Sequence, residues 1–220
     1  MALLLKRRDG AFERRDRFIT STLAERLQRD PVVLNVGCGN IPNRTMIPSC
    51  GAFLTTDIRR LPSVDFVSDA MALSVATASV DTVLALELLE HVPRPGEVLA
   101  ELCRVLRPSG TAVVSVPSAV PRHDSHDYWR YTAQGLAQLC SEVFNECEVF
   151  IFGETLETLG YIAGYYARCV AHRSWAPLGH LSPALEGVGR WLDRRQWWTP
   201  PDGLHTLALD LVAVARADEG

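Results

Sequence analysis

Three groups of side chains have the types and spacing to do chemistry. The first is a strand that runs into glycines, Val33-Leu34-Asn35-Val36-Gly37-Cys38-Gly39-Asn40. Glycine after a buried strand lets backbone N–H groups approach a ligand, because no Cβ stands in the way. About 18 residues past that turn, Phe53-Leu54-Thr55-Thr56-Asp57 reads as a second strand ending in an acid. An acid there can accept hydrogen bonds from both ribose hydroxyls of a nucleoside. The chain has neither the third glycine of a dinucleotide fingerprint nor the G-K-[ST] of a phosphate loop, which argues for a nucleoside cofactor without a pyrophosphate.

The second group is Glu87-Leu88-Leu89-Glu90-His91. Its two carboxylates and imidazole stand at i, i+3 and i+4, and on a helix they share one face. They could ligate a divalent metal or form a local polar network, and His91 could serve as a base. The third group is Arg122-His123-Asp124-Ser125-His126-Asp127-Tyr128-Trp129-Arg130-Tyr131-Thr132. His123, His126, Asp127, Tyr128 and Arg130 combine base, acceptor and anion-binding chemistry. The blander reading pairs Asp127 with Arg130 and packs Tyr128 and Trp129 under the next helix. His123 and His126 as a metal pair lack an obvious third ligand, and His205 reads as structural.

These residues need elements to place them. Ala11–Arg29 has helical periodicity through Phe12, Phe18, Ile19, Leu23 and Leu27, with Arg14, Arg15, Arg17 and Arg26 on its polar face. Strands are expected at about 32–36, 53–57, 65–67, 80–86, 111–116, 147–152 and 204–215. Val80–Leu86, apolar apart from Asp81 and Thr82, is suited to a central parallel strand buried on both faces. Helices are expected over 96–106, ended by Pro108-Ser109-Gly110, and over 134–143. Pro42 and Pro48 argue against a long helix between Gly39 and Phe53. Strands and helices alternating at this spacing imply a doubly wound α/β sheet. Residues 153–203 form an unusual connection before the last strand, with one helix through Leu156, Leu159, Tyr161, Ile162, Tyr165 and Tyr166. A second helix runs through Leu185, Val188, Trp191 and Leu192, and the connection holds Trp175, Trp191, Trp197 and Trp198. A loop this long is usually functional or covers something: a substrate lid, a purely structural or dimer-forming cap, or a membrane-surface dock.

In order, V-L-N-V-G-C-G, T-T-D-I, V-S-D-A, V-D-T-V-L-A-L-E-L-L-E-H-V and L-C-R-V-L-R-P-S-G resemble a class I S-adenosylmethionine-dependent methyltransferase of the type 11 group. The resemblance covers roughly residues 31–150 and returns for the last strand. It implies a Rossmann-like seven-stranded sheet whose last strand is antiparallel, with a helical insertion before it. It implies that Val36, Gly37, Cys38 and Gly39 line the methionine part of the cofactor, that Asp57 holds the ribose and that Ile58 packs on the adenine. Asp69 would accept from the adenine amino group, Ala70 would donate through its backbone, and Leu86 and Glu87 would close the other side. The candidate catalytic residues are His91, His123, His126 and Tyr128. Asn35 replaces the family's usual Asp, and Ile41 stands where many relatives have a third glycine. A similar E-x-x-E-H in ubiquinone-pathway O-methyltransferases binds a divalent metal, whereas other relatives carry the string without one. The expectation here is a metal-free site. The H-x-D-Y-Y-R-Y-T segment of a glycan-linked subgroup resembles residues 123–132. The implied activity is methyl transfer from S-adenosyl-L-methionine, leaving S-adenosyl-L-homocysteine, to an oxygen of a sugar, glycan precursor or natural product. Cyclisation or rearrangement by a non-methylating enzyme, or a degenerate partner subunit, are the alternatives.

Composition sets the frame. With 22 basic and 26 acidic residues the net charge is −4, which gives no nucleic-acid footprint. Lys6 is the only lysine, so 21 of the 22 basic residues are arginine. The six cysteines form no C-x-x-C pair, and Met1–Leu5 is too short for a secretory core, which together suggest reduced thiols in a cytoplasmic protein. No apolar run reaches membrane-spanning length. One domain over 1–220 is expected. Residues 1–30 would be an N-terminal helical segment, 31–152 the cofactor core, 153–203 the helical cap and 204–216 the last strand. A small-molecule acceptor and a homodimer through 153–203 are the expected partners.

Overall fold

A computed structural model describes residues 10–27, 30–40, 43–47, 49–174, 182–195 and 207–218. Runs of β-branched and apolar residues form its centre: β1 (Val32–Val36), β2 (Ala52–Asp57), β3 (Phe66–Val67) and β4 (Val80–Leu86). They are followed by β5 (Leu106–Pro117), β6 (Glu146–Phe152) and β7 (Asp210–Arg216). The described residues build a seven-stranded sheet in the order β3-β2-β1-β4-β5-β7-β6. β1 to β5 pair in parallel, and β7 runs antiparallel to both β5 and β6. This is the Rossmann-like sheet that the sequence implies. The chain turns to opposite sides of the sheet at the β1/β4 boundary, the point where open α/β sheets bind ligands outside their carboxyl ends.

Strand alternation divides the core. Leu34, Val83, Ala85, Ala112 and Val114 face Leu99 and Leu102 of α2 (Pro95–Val105) and Leu136 of α3 (Ala133–Ser141). Val33, Leu84, Val113 and Val212 face the other way, against Ile19 and Leu23 of α1 (Ala11–Arg26). Because both faces are covered, the middle of the central strands is mainly apolar, and the polar residues there, such as Asn35, Thr82 and Ser115, are themselves buried. Between Gly39 and Phe53 the only described helical piece is a single 3₁₀ turn, Arg44–Met46. Ile41, Pro42 and Pro48 lie outside the described residues.

Most boundaries shift from the sequence reading by a residue or two, and three shift further. α1 ends at Arg26. The described last strand begins at Asp210. β5 begins at Leu106, where a turn at Pro108-Ser109-Gly110 was expected. Leu106 pairs with Val80 and Thr111 with Thr82, so five residues of β5 step past two of β4. Pro108 gives no N–H to a ladder and Ser109 adopts φ 61°, so the strand bulges there instead of ending.

After β6, α4 (Thr155–Ser174) and α5 (Ser182–Arg194) form an antiparallel hairpin. Glycines let the two backbones meet: a Cβ on Gly160 would lie 2.6 Å from the Leu185 carbonyl oxygen, and one on Gly189 would overlap the Leu156 carbonyl. Asp193 accepts from the free N–H groups of Leu156 (3.1 Å) and Glu157 (2.5 Å) at the start of α4, satisfying donors that a helix start leaves unpaired. Trp175, Trp197, Trp198 and His205 lie outside the described residues.

Candidate active site

The glycine turn follows β1 directly. Gly37 (φ 68°) and Gly39 (φ 56°) are both left-handed, and a Cβ on Gly37 would stand 2.5 Å from Leu88 Cδ1. Glycine is therefore required at 37 by conformation and by space. The expected role of the turn's N–H groups needs correction. Gly37 N and Cys38 N donate to the Thr56 carbonyl at 2.8 and 3.1 Å, and Gly39 N donates to Asp57 Oδ2 at 3.0 Å. These donors bind the turn to the end of β2 instead of facing a ligand. Val36, Asn35 and Cys38 are buried beneath the turn, and burial, then the nearby Asp57 charge, pushes the Cys38 thiol up.

Asp57 ends β2 and is almost fully buried. Besides Gly39 N, it accepts from Arg59 N (2.9 Å), Nε (3.0 Å) and Nη2 (3.2 Å). Burial works to raise its pKa, but the Arg59 and Gly39 hydrogen bonds outweigh that and hold the carboxyl below the usual carboxylate range. The Arg59 side chain is 63% exposed, so it can leave the carboxylate without opening the core. Sequence reading missed Arg59; an arginine two residues after an acid at a strand end is the signal. Ile58 is exposed beside it. Beyond β3, Asp69 Oδ1 accepts from Met71 N at 2.9 Å and Ala70 is buried.

At the end of β4 the expected helical face does not form. Glu87 is left-handed, with φ 52°, and only Leu89–His91 make a 3₁₀ turn. Glu87 Oε1 accepts from Ser115 Oγ at 2.7 Å and pairs with Arg15 Nη1 at 3.2 Å. Glu87 is thus drawn toward β5 and α1 and does not join Glu90 and His91 as a third ligand. Arg15 also pairs with Asp210 Oδ2 at 2.5 Å. It was assigned to the polar face of α1, yet its side chain is only 13% exposed and that of Asp210 is 0% exposed. Burial disfavours the Arg15 charge, but Asp210, Glu87 and Asp16 together raise its pKa further. Burial and then Glu87 push Asp210 well above an ordinary carboxyl, with Arg15 pulling it back. An acid opening the apolar run Asp210–Ala215 was the sequence signal for this pairing.

Glu90 is fully buried, and neither carboxylate oxygen has a hydrogen-bond partner. Burial and then Glu87 push its carboxyl up to about 9. His91 Nε2 lies 3.5 Å from Glu90 Oε1, and His91 Nδ1 lies 2.6 Å from the His126 carbonyl oxygen. The loop after β5 thereby closes over the 3₁₀ turn. Tyr128 N donates to the Glu90 carbonyl at 2.8 Å, Trp129 Nε1 to the Val92 carbonyl at 2.9 Å and Tyr131 OH to the Leu89 carbonyl at 3.1 Å. The loop brings His123 to His91, with ring centroids 5.3 Å apart. Asp127 and Arg130 pair side by side, one contact measuring 2.7 Å, and Asp127 also accepts from His123 N at 3.1 Å. The side chains of His126 and Tyr128 point to solvent, ring centroids 6.3 Å apart.

Residues 34–114 match the family model described as a methyltransferase domain. An uncharacterized methyltransferase of Mycobacterium ulcerans (strain Agy99) is 50% identical over 48 residues, which is 22% of this chain and 19% of that protein. The matched stretch therefore spans about a fifth of the curated relative. Among solved structures, the [4+2]-cyclase SpnF superposes with a TM-score of 0.58 at 18% identity, covering 97% of this chain and 84% of that one. A SAM-dependent methyltransferase from Archaeoglobus fulgidus gives 0.56 at 16% identity, covering 91% and 94%. Residues 34–114 therefore carry the match to a methyltransferase domain, and the sheet order is that of the Rossmann-like methyltransferase fold.

Proposed function

We propose that the protein transfers a methyl group from S-adenosyl-L-methionine to an oxygen of a small molecule, of the sugar, glycan-precursor or natural-product class. One observation carries the reading. The ends of β1, β2 and β4 and the turn after β3 bring the glycine turn, Asp57, Asp69 and Glu87 to one sheet edge, and the His123–Tyr128 loop lies against the end of β4 on that edge. The donor set fits the cofactor. Asp57 is a buried acceptor held by Gly39 N and by a displaceable exposed arginine, and it stands beside a turn that admits no side chain at Gly37.

When bound, the cofactor supplies an electrophilic methyl on a sulfonium, and displacement there is in line. The protein's task is mainly to hold the acceptor atom at the right distance and angle. Asp57 would hold the ribose hydroxyls, Ile58 and Ala70 would flank the adenine with Asp69 at its amino group, and Val36–Gly39 with Leu86 and Glu87 would border the methionine part. Arg15 and Ser115 keep Glu87 in its left-handed conformation. On the acceptor side, His91, His123, His126 and Tyr128 can orient a hydroxyl and take its proton. The α4–α5 hairpin borders this side through Tyr165 OH, which donates to the Arg122 carbonyl at 3.3 Å, in keeping with a cover or with a surface for a second copy. Among the described residues no helix is long and apolar enough to cross a membrane.

Calorimetric titration with S-adenosylmethionine and S-adenosylhomocysteine, followed by mass spectrometry of an acceptor screen, tests the reading. Micromolar binding of both and a product heavier by one methylene support it. Folded protein that binds neither overturns it. The likeness to SpnF favours one second reading, a cyclisation that uses the cofactor without consuming it. Cofactor binding with a rearranged, unmethylated product would establish that instead.

A further inference from the structure

We infer that Glu90, His91 and His123 form a binding site for a single divalent first-row transition ion of the Zn²⁺, Co²⁺ or Ni²⁺ class. Each residue offers one ligand atom, and these atoms all lie within 4.8 Å of one another. This set differs from the Glu87, Glu90 and His91 face suggested by spacing: Glu87 is committed to Arg15 and Ser115, and His123 arrives from a loop more than thirty residues downstream. Proteins seldom bury a carboxylate without hydrogen bonds. Glu90 is 0% exposed with both oxygens unpartnered, and it sits at the vertex of two imidazoles. A cation would satisfy it.

The surroundings of both histidines prepare them as ligands. His91 Nδ1, 2.6 Å from the His126 carbonyl, must carry the proton because a carbonyl can only accept. That leaves the Nε2 lone pair on the side of Glu90, 3.5 Å away. His123 Nδ1 lies 3.3 Å from Asp127 Oδ2, which favours the same tautomer, and Arg130 anchors that carboxylate in turn. Histidine ligands are ordinarily oriented by such outer hydrogen bonds. Two imidazoles and one carboxylate suit zinc, cobalt or nickel, whereas magnesium and calcium prefer oxygen ligands alone. Ligand bonds of about 2.0–2.2 Å need the three atoms to draw together, and His123, on an exposed loop with 37% side-chain exposure, is free to close. Its open side would leave positions for water or a substrate oxygen. The inference does not depend on methyl transfer.

The test uses the whole chain freed of metal with chelator and titrated with Zn²⁺ and Co²⁺. Calorimetry should give one site at micromolar affinity or tighter, with a rise in Tm. Co²⁺ should show d–d bands without a thiolate charge-transfer band, which separates this site from the six cysteines. His123→Ala, on an exposed loop, should weaken Zn²⁺ at least about tenfold, in the range seen even for outer-shell changes. His126→Ala, which removes a side chain but keeps the carbonyl, should bind within about threefold of the parent on the same scale. Glu90→Gln should lose more than His123→Ala. No binding, unchanged binding in His123→Ala, a sulfur-ligated Co²⁺ spectrum or a preference for Mg²⁺ would each overturn the assignment.

Discussion

Asp57 at the end of β2 and Glu90 just past the end of β4 are both buried acids on the ligand edge of one sheet, yet their surroundings are opposite. Asp57 takes four hydrogen bonds, three of them from Arg59 two residues on. Glu90 takes none. The first carboxylate is held below its ordinary pKa and the second well above it. A buried acid with local partners adds to stability. One without partners costs stability, a cost tolerated where function needs it.

A third case sharpens this contrast. Asp210 is as buried as Glu90 but has Arg15. Arg15→Ala should have the largest effect, because it strips a fully buried carboxyl of its partner; loss of one member of such a pair costs up to about 3–5 kcal/mol. Chemical denaturation should show it, and a loss under about 1 kcal/mol would mean that Asp210 is neutral without its partner. Asp57→Ala should abolish measurable cofactor binding while the chain stays folded. Two ribose hydrogen bonds to a charged acceptor are together worth about 3 kcal/mol, more than a hundredfold in affinity. Unchanged affinity for S-adenosylhomocysteine would remove Asp57 from the site.

Glu90→Gln should stabilise the metal-free protein, by about 1 kcal/mol or roughly 2–4 °C in Tm, because the buried carboxyl must take up a proton on folding and an amide need not. A fall in Tm would mean that the carboxylate has a structural partner. The smallest effect belongs to Arg59→Ala. The displaced arginine is largely exposed and the pair is worth at most about 1 kcal/mol, so S-adenosylhomocysteine should bind up to about fivefold tighter. The same variant should be less resistant to acid. A carboxyl with a depressed folded pKa contributes stability above its unfolded value and loses it as pH falls through the folded one. Without Arg59 the loss of that contribution should therefore move up toward 3.8, the ordinary value for Asp.

The parallel strands were legible because burial on both faces leaves a short apolar run, as in Val83–Leu86 of β4. Asp57 was legible because a strand end and a glycine turn fix its place in sequence. The rest depends on distance along the chain. Arg15 and Asp210 are 195 residues apart, and helical periodicity alone puts an arginine outside. Glu87 breaks the helical spacing through a left-handed backbone that no local propensity favours in a non-glycine residue. The meeting of His123 with His91 depends on the path of a loop, which composition does not encode. The bulge in β5 hid behind a Pro-Ser-Gly sequence that ordinarily stops a strand.

The place of β7 between β5 and β6 bears on how the chain is made. During synthesis β5 and β6 leave the ribosome first, separated by an open lane that only residues 210–216 can fill. Until then the nascent protein carries two unpaired strand edges, the kind of surface that recruits neighbouring chains. The insertion that closes the lane also delivers Asp210 to Arg15 across 195 residues of sequence, so sealing the sheet and burying this ion pair are one event.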